Sequence, residues 1–100
     1  MEDNKHWVFV LTNRSIPGIV FLRSSTNPPS SEAQQLSNKS VAGTVYDVRY
    51  EVLSQNPDEI IGHVNYMLEK KRLQWESEAY KCTLAEIINL IQMSGVQEAT

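Results

Sequence analysis

His6 to Ser25 reads HWVFVLTNRSIPGIVFLRSS, and the fold turns on this stretch. Two apolar runs, WVFVL and GIVFL, flank a polar bend that ends in Pro17-Gly18. Both runs are rich in β-branched and aromatic side chains, which suit a pleated surface. Trp7–Thr12 and Gly18–Ser24 are therefore expected as paired strands. The six residues Asn13-Arg14-Ser15-Ile16-Pro17-Gly18 exceed a two-residue turn, so the hairpin has a wider loop.

Downstream of the hairpin lies a loop-rich segment, SSTNPPSSEAQQLSNKSVAG. Its Asn27-Pro28-Pro29-Ser30 breaks the extended chain, and Ser30 or Ser31 caps a short helix to about Ser37. From Thr44 to Leu53 the chain alternates. Thr44, Tyr46, Val48, Tyr50 and Val52 are expected on one face, with Asp47, Arg49 and Glu51 on the other, as in a half-buried strand. Asn56-Pro57-Asp58-Glu59 then opens a helix, with Asn as its side-chain cap and acids at the positive dipole end. Ile60, Ile61, Val64, Met67 and Leu68 form its apolar stripe, and the pattern predicts a helix over Pro57–Leu73. Ala79–Cys82 reads as a short fourth strand. Thr83-Leu84-Ala85-Glu86 is a capping box opening a helix over Leu84–Met93, with Gly95 as its C-cap and Val96–Thr100 fraying. The expectation is a single domain over 1–100 with its core at about 6–95. Its class is α+β: a small antiparallel three-stranded sheet, with the short fourth strand, flanked by helices.

Composition narrows the function. Twelve acidic residues outnumber nine basic ones, giving a net charge of −3 and a pI near 5.3. Binding to nucleic acid draws on neutralised phosphates, so this balance favours a protein partner over free DNA. The one basic cluster, Lys70-Lys71-Arg72, reads as a solvated helix end. No apolar run approaches the ~20 residues of a membrane span, and MEDNK does not open like a signal peptide. Cys82 is the only cysteine, which excludes an internal disulfide and a zinc site of several thiolates; a cytoplasmic setting is expected. Neither a Gly-rich phosphate loop nor a nucleophile elbow is present.

The order of VFVLTN, PGIV, the DEIIGH helix and the TLAEI helix resembles the GIY-YIG endonuclease-like superfamily, in its compact phage and bacterial branch. The likeness covers about Trp7 to Met93. That resemblance implies a phosphodiester-cleaving site. A tyrosine or its partner activates water, an arginine faces the phosphate, and a glutamate holds a divalent metal. This chain departs from the pattern at those places. Phe9 stands where the first tyrosine is expected, and Phe21 where the second motif carries Tyr or Lys. Arg23 replaces the glycine that lets substrate approach, and no arginine occurs between Asn27 and Lys39. Phenylalanine offers no donor, acceptor or proton.

No catalytic residue is therefore expected, and no cofactor. Glu59, His63, Tyr66 and Lys70 fall at spacings of four, three and four, on one helical stripe. They read either as a remnant site, with Glu59 a metal ligand and His63 a proton carrier, or as the polar flank of an amphipathic helix with a Glu59–His63 pair. Tyr46 and Tyr50 read as core-rim residues, Arg23 as a partner of Glu51 or Asp47, and Cys82 as buried and inert. Trp75 is either a core plug or an exposed anchor. The reading that follows is a non-catalytic, protein-binding GIY-YIG-like domain, with a phage or mobile-element accessory role implied by the resemblance. Two alternatives stay open: a divergent Mg²⁺-dependent DNA endonuclease using Glu59, and an unrelated small α+β interaction domain.

Overall fold

The computed structural model describes residues 5–39 and 44–94. Its elements are β1 (His6–Asn13), β2 (Ile19–Ser25), α1 (Pro29–Lys39), β3 (Tyr46–Ser54), α2 (Pro57–Met67), β4 (Ala79–Lys81) and α3 (Leu84–Gln92). A 3₁₀ turn, Glu69–Lys71, follows α2. The fold is α+β: one antiparallel sheet in the order β3-β1-β2-β4, flanked by three helices. In the β1–β2 loop the Asn13 side chain accepts from Ser15 N at 2.8 Å, and Gly18 takes φ +86°, a conformation that costs glycine little.

Side chains alternate across a strand, so β1 feeds both faces of the sheet. Val8 and Val10 pack with Val20, Leu22, Tyr80 and the apolar sides of α2 and α3. Phe9 and Leu11 pack with Phe21, Ala33 and Ala79 on the α1 side. The run WVFVL is continuously apolar because helices cover both faces.

The expected single apolar face of the third strand is corrected. Val10 pairs with Tyr50, but Leu11 pairs with Val48, so Arg49 is an extra residue in a bulge. The alternation flips there. Tyr50 and Val52 pack on the α2/α3 side, whereas Tyr46 and Val48 pack on the α1 side. Tyr46 meets Phe21 edge-on at 5.5 Å between ring centroids. Its backbone N–H donates to Ser37 Oγ at 3.0 Å, which ties α1 to the start of β3.

The helix expected to reach Leu73 ends at Met67. Leu68 is buried on the α2/α3 side, and Leu73 packs on the α1 side. Five helical residues rotate a side chain by roughly 140°, and a straight helix cannot carry both leucines to opposite sides of the sheet. The chain therefore turns. Arg72 bridges Tyr80, and Leu73 N donates to Ala79 O at 2.9 Å, which lines the outer edge of β4. The side-chain cap expected of Asn56 is also absent. Instead Ser54 Oγ accepts from Asn56 N at 2.9 Å and sets the turn into α2. Thr83 does cap α3, accepting from Glu86 N at 3.1 Å. Gly95 lies outside the described residues.

Candidate functional site

Phe9 is 0% exposed and Phe21 is 7% exposed, both within the α1-side cluster. The Phe9 ring is closed off within this cluster, whereas Phe21 packs in it and also lines a recess on the α1 side. Arg23, at the end of β2, donates from Nη1 to Glu78 Oε1 at 2.6 Å. The expected partners, Glu51 and Asp47, lie on β3, two strands away from β2 and so about 9–10 Å off. Asp47 is held by Arg14 instead, through paired bonds of 2.9 and 3.0 Å. The hydrogen bond from Arg14 holds the Asp47 carboxyl below its ordinary value.

The four helical candidates are not assembled into a site. Glu59 is exposed in the first turn of α2, and Tyr66 is 78% exposed. His63 is half-buried, with Nε2 buried and unpartnered among the described residues. Lys70 falls in the 3₁₀ turn after α2, off the helical stripe. Moreover α2 covers the Val8/Val10 side of the sheet, opposite Phe9 and Phe21. Among the described residues no group of three or more His, Cys, Asp or Glu side chains is arranged to hold a metal ion. Mg²⁺ demands several oxygen ligands in near-octahedral geometry, and Glu59 at the surface does not supply them.

Cys82 lies one residue past β4, half-buried, and burial pushes its thiol up to about 11. The thiolate, the reactive form, is thus scarce at neutral pH. Lys71 pairs with Glu86 at 2.8 Å, which removes one cation from the basic cluster.

What the structure does bring together is the Arg23–Glu78 pair, where the end of β2 meets the segment leading into β4. Leu22 N donates to Glu78 O at 2.9 Å and fixes that junction. Two recesses flank it. On the α1 side, about 280 Å³ is lined by Phe21, Leu36, Tyr46, Trp75 and Glu76. Trp75 is 69% exposed there, so it does not plug the core. On the α2 side, about 270 Å³ is lined by Leu22, Ile61, Asn65, Arg72 and Tyr80. A third recess of about 560 Å³ lies at the hairpin end of the sheet, beside Arg14, Asp47 and Cys82, away from these residues.

Glu78 was missed by the sequence reading, because its partner is 55 residues away. Comparison with family models, with curated proteins and with solved structures finds no match. Among the described residues no helix is long and apolar enough to cross a membrane.

Proposed function

We propose that this chain is a non-catalytic interaction domain on a GIY-YIG-like scaffold, and that it binds a protein partner through the α1-side recess around Trp75. One observation carries the reading. The positions that would hold water-activating and phosphate-facing groups are occupied by Phe9 and Phe21, packed in an apolar cluster, and by an Arg23 paired with Glu78. Charge stabilisation of a phosphoryl group needs donors aimed at its oxygens, and a packed ring supplies none. The same face offers what protein interfaces use. Trp and Tyr are enriched among residues that dominate binding energy, and here an exposed Trp75 lines one recess with Tyr46, Phe21 and Leu36. The accessory role in phage or mobile DNA remains part of this proposal, on the resemblance alone.

Two measurements test it. Purified protein is incubated with supercoiled, linear and single-stranded DNA in Mg²⁺ and in Mn²⁺, beside a Glu59→Ala control; no cleavage is expected. Nicking by the parent that Glu59→Ala lacks would promote the endonuclease alternative, with Glu59 as metal ligand. Separately, tagged parent and Trp75→Ala are used to capture partners from the native lysate. A band held by the parent and lost by Trp75→Ala is expected. Identical capture by the two would remove Trp75 from the binding face.

A further inference from the structure

The lining of the α1-side recess selects the chemistry of what enters it. We propose, resting on the protein-binding reading above, that it receives a lysine side chain of the partner. The aliphatic stem lies against Phe21 and Leu36, and the ammonium sits among Trp75, Tyr46 and Glu76.

Three aromatic side chains line this recess: Phe21, Tyr46 and Trp75. The Phe21 and Tyr46 rings stand at 70° to each other, 5.5 Å between centroids, so they form a corner and not a flat wall. Trp75 is 69% exposed and continues the aromatic lining out to the surface, where covering it removes a large apolar area from water. The volume, about 280 Å³, lies just below the ~300–1,000 Å³ of small-molecule pockets, which suits one inserted side chain. Charge then chooses among side chains. A partner that covers Trp75 also covers Glu76, its chain neighbour on the same recess. Glu76 makes no ion pair among the described residues. Arg23, the one cation among the described lining residues, already gives Nη1 to Glu78 at 2.6 Å. A carboxylate covered without a countercharge is costly, so the partner must bring a cation. An apolar side chain would fill the recess and strand that charge, and an acidic one would be repelled. The net charge of −3 favours a cation on approach, and ring faces attract one at contact, Trp most strongly. Lysine meets these demands together, because its stem packs on apolar surface while its head reaches a charge. A compact ammonium fits a corner, whereas a planar guanidinium stacks on a flat wall.

The test is a titration of the full chain with Nα-acetyl-lysine methylamide at constant ionic strength, read by NMR at the Trp75 indole N–H and the Glu76 amide. The controls are the norleucine counterpart, which keeps the stem without the charge, and the arginine counterpart. Saturable shifts are expected with lysine, and weaker binding of both controls. Glu76→Gln should weaken lysine binding about two- to fivefold, the scale of an exposed ion pair, and leave norleucine unchanged. Trp75→Ala should remove the response at the Glu76 amide. No saturable shift with lysine, norleucine binding as tightly as lysine, or Glu76→Gln titrating like the parent would overturn the cation site. Arginine binding as tightly as lysine would overturn the lysine assignment. The lysate capture separates this contact from the reading beneath it. A partner lost by Trp75→Ala, yet held by Glu76→Gln as firmly as by the parent, would leave protein binding standing and sink the lysine contact; capture unchanged in Trp75→Ala would sink both.

Discussion

Replacing Phe9 by alanine probes the claim that this position serves the core. Phe9 is 0% exposed and its neighbours on the α1 side are Leu11, Phe21, Ala33 and Ala79. β1 is an inner strand, hydrogen-bonded on both sides, and cannot shift to fill a void. The loss is therefore transfer free energy plus a residual cavity, about 3–5 kcal/mol. For a domain of this size each kcal/mol moves Tm by about 4–8 °C, so a fall of roughly 12–40 °C is expected. With total stability of about 5–15 kcal/mol, the variant sits near the edge of folding at 37 °C. Phe9→Tyr sharpens the test. It adds only a hydroxyl, which in a closed apolar cluster goes unsatisfied at a cost of about 1–3 kcal/mol. Urea melts of parent, Phe9→Ala and Phe9→Tyr read both effects. Phe9→Ala within about 1 kcal/mol of the parent, or Phe9→Tyr indistinguishable from it, would refute the buried assignment.

Two further outcomes concern titration. The hydrogen bond from Arg14 depresses the Asp47 pKa below its model-compound value of 3.8, against a smaller opposing effect of desolvation. A depressed carboxyl contributes stability above its unfolded pKa and loses it as pH falls through the folded one. The advantage of the parent over Asp47→Asn should thus be full at neutral pH, shrink below pH 3.8, and shrink also in high salt, as for any exposed pair; an advantage unchanged down to pH 2 would remove the Arg14 contact. For Cys82, burial first and Glu86 second raise the thiol to about 11. Iodoacetamide alkylation of native protein should be slow at neutral pH and accelerate toward pH 11, and an inflection at or below 9 would show an exposed thiol.

The hairpin was legible because its two runs carry β-branched and aromatic residues on both sides of a Pro-Gly bend. The helix starts at Pro57 and Leu84 were legible from local chemistry, although Asn56 makes no side-chain cap and Ser54 instead holds the Asn56 N–H in the turn. The bulge at Arg49 left no mark on the pattern. Tyr46, Val48, Tyr50 and Val52 read as one apolar face, because the alternation in sequence runs unbroken through the bulge while the faces exchange there. Leu73 extended the α2 pattern by coincidence of spacing, since its burial is on the other side of the sheet. The Arg23–Glu78 pair joins residues far apart in the chain, and no local rule could have matched them. Charge alone suggested Asp47 and Glu51, and only strand order excluded them.

The α1 side also bears on why aromatic rings suit positions 9 and 21. The α1 helix, PSSEAQQLSNK, is mostly polar, and it buries only Pro29 and Ala33. By contrast α2 and α3 together bury Ile60, Val64, Ile87 and Ile91. A thin helix cannot fill the space over an inner strand, so the apolar volume on that face has to come from the sheet itself. Phe9, Leu11 and Phe21 supply it, with Tyr46 closing the edge through its ring contact to Phe21. Polar groups at positions 9 and 21 would need water or donors above them, and admitting either would mean lifting α1 away from the sheet. That would expose Leu36 and Ala33 and strain the Ser37–Tyr46 hydrogen bond that anchors the helix. At the end of β2, Arg23 and Glu78 close the same region with an ion pair. Phe9 and Phe21 thus complete this half of the core, and a hydroxyl added at either position would cost stability.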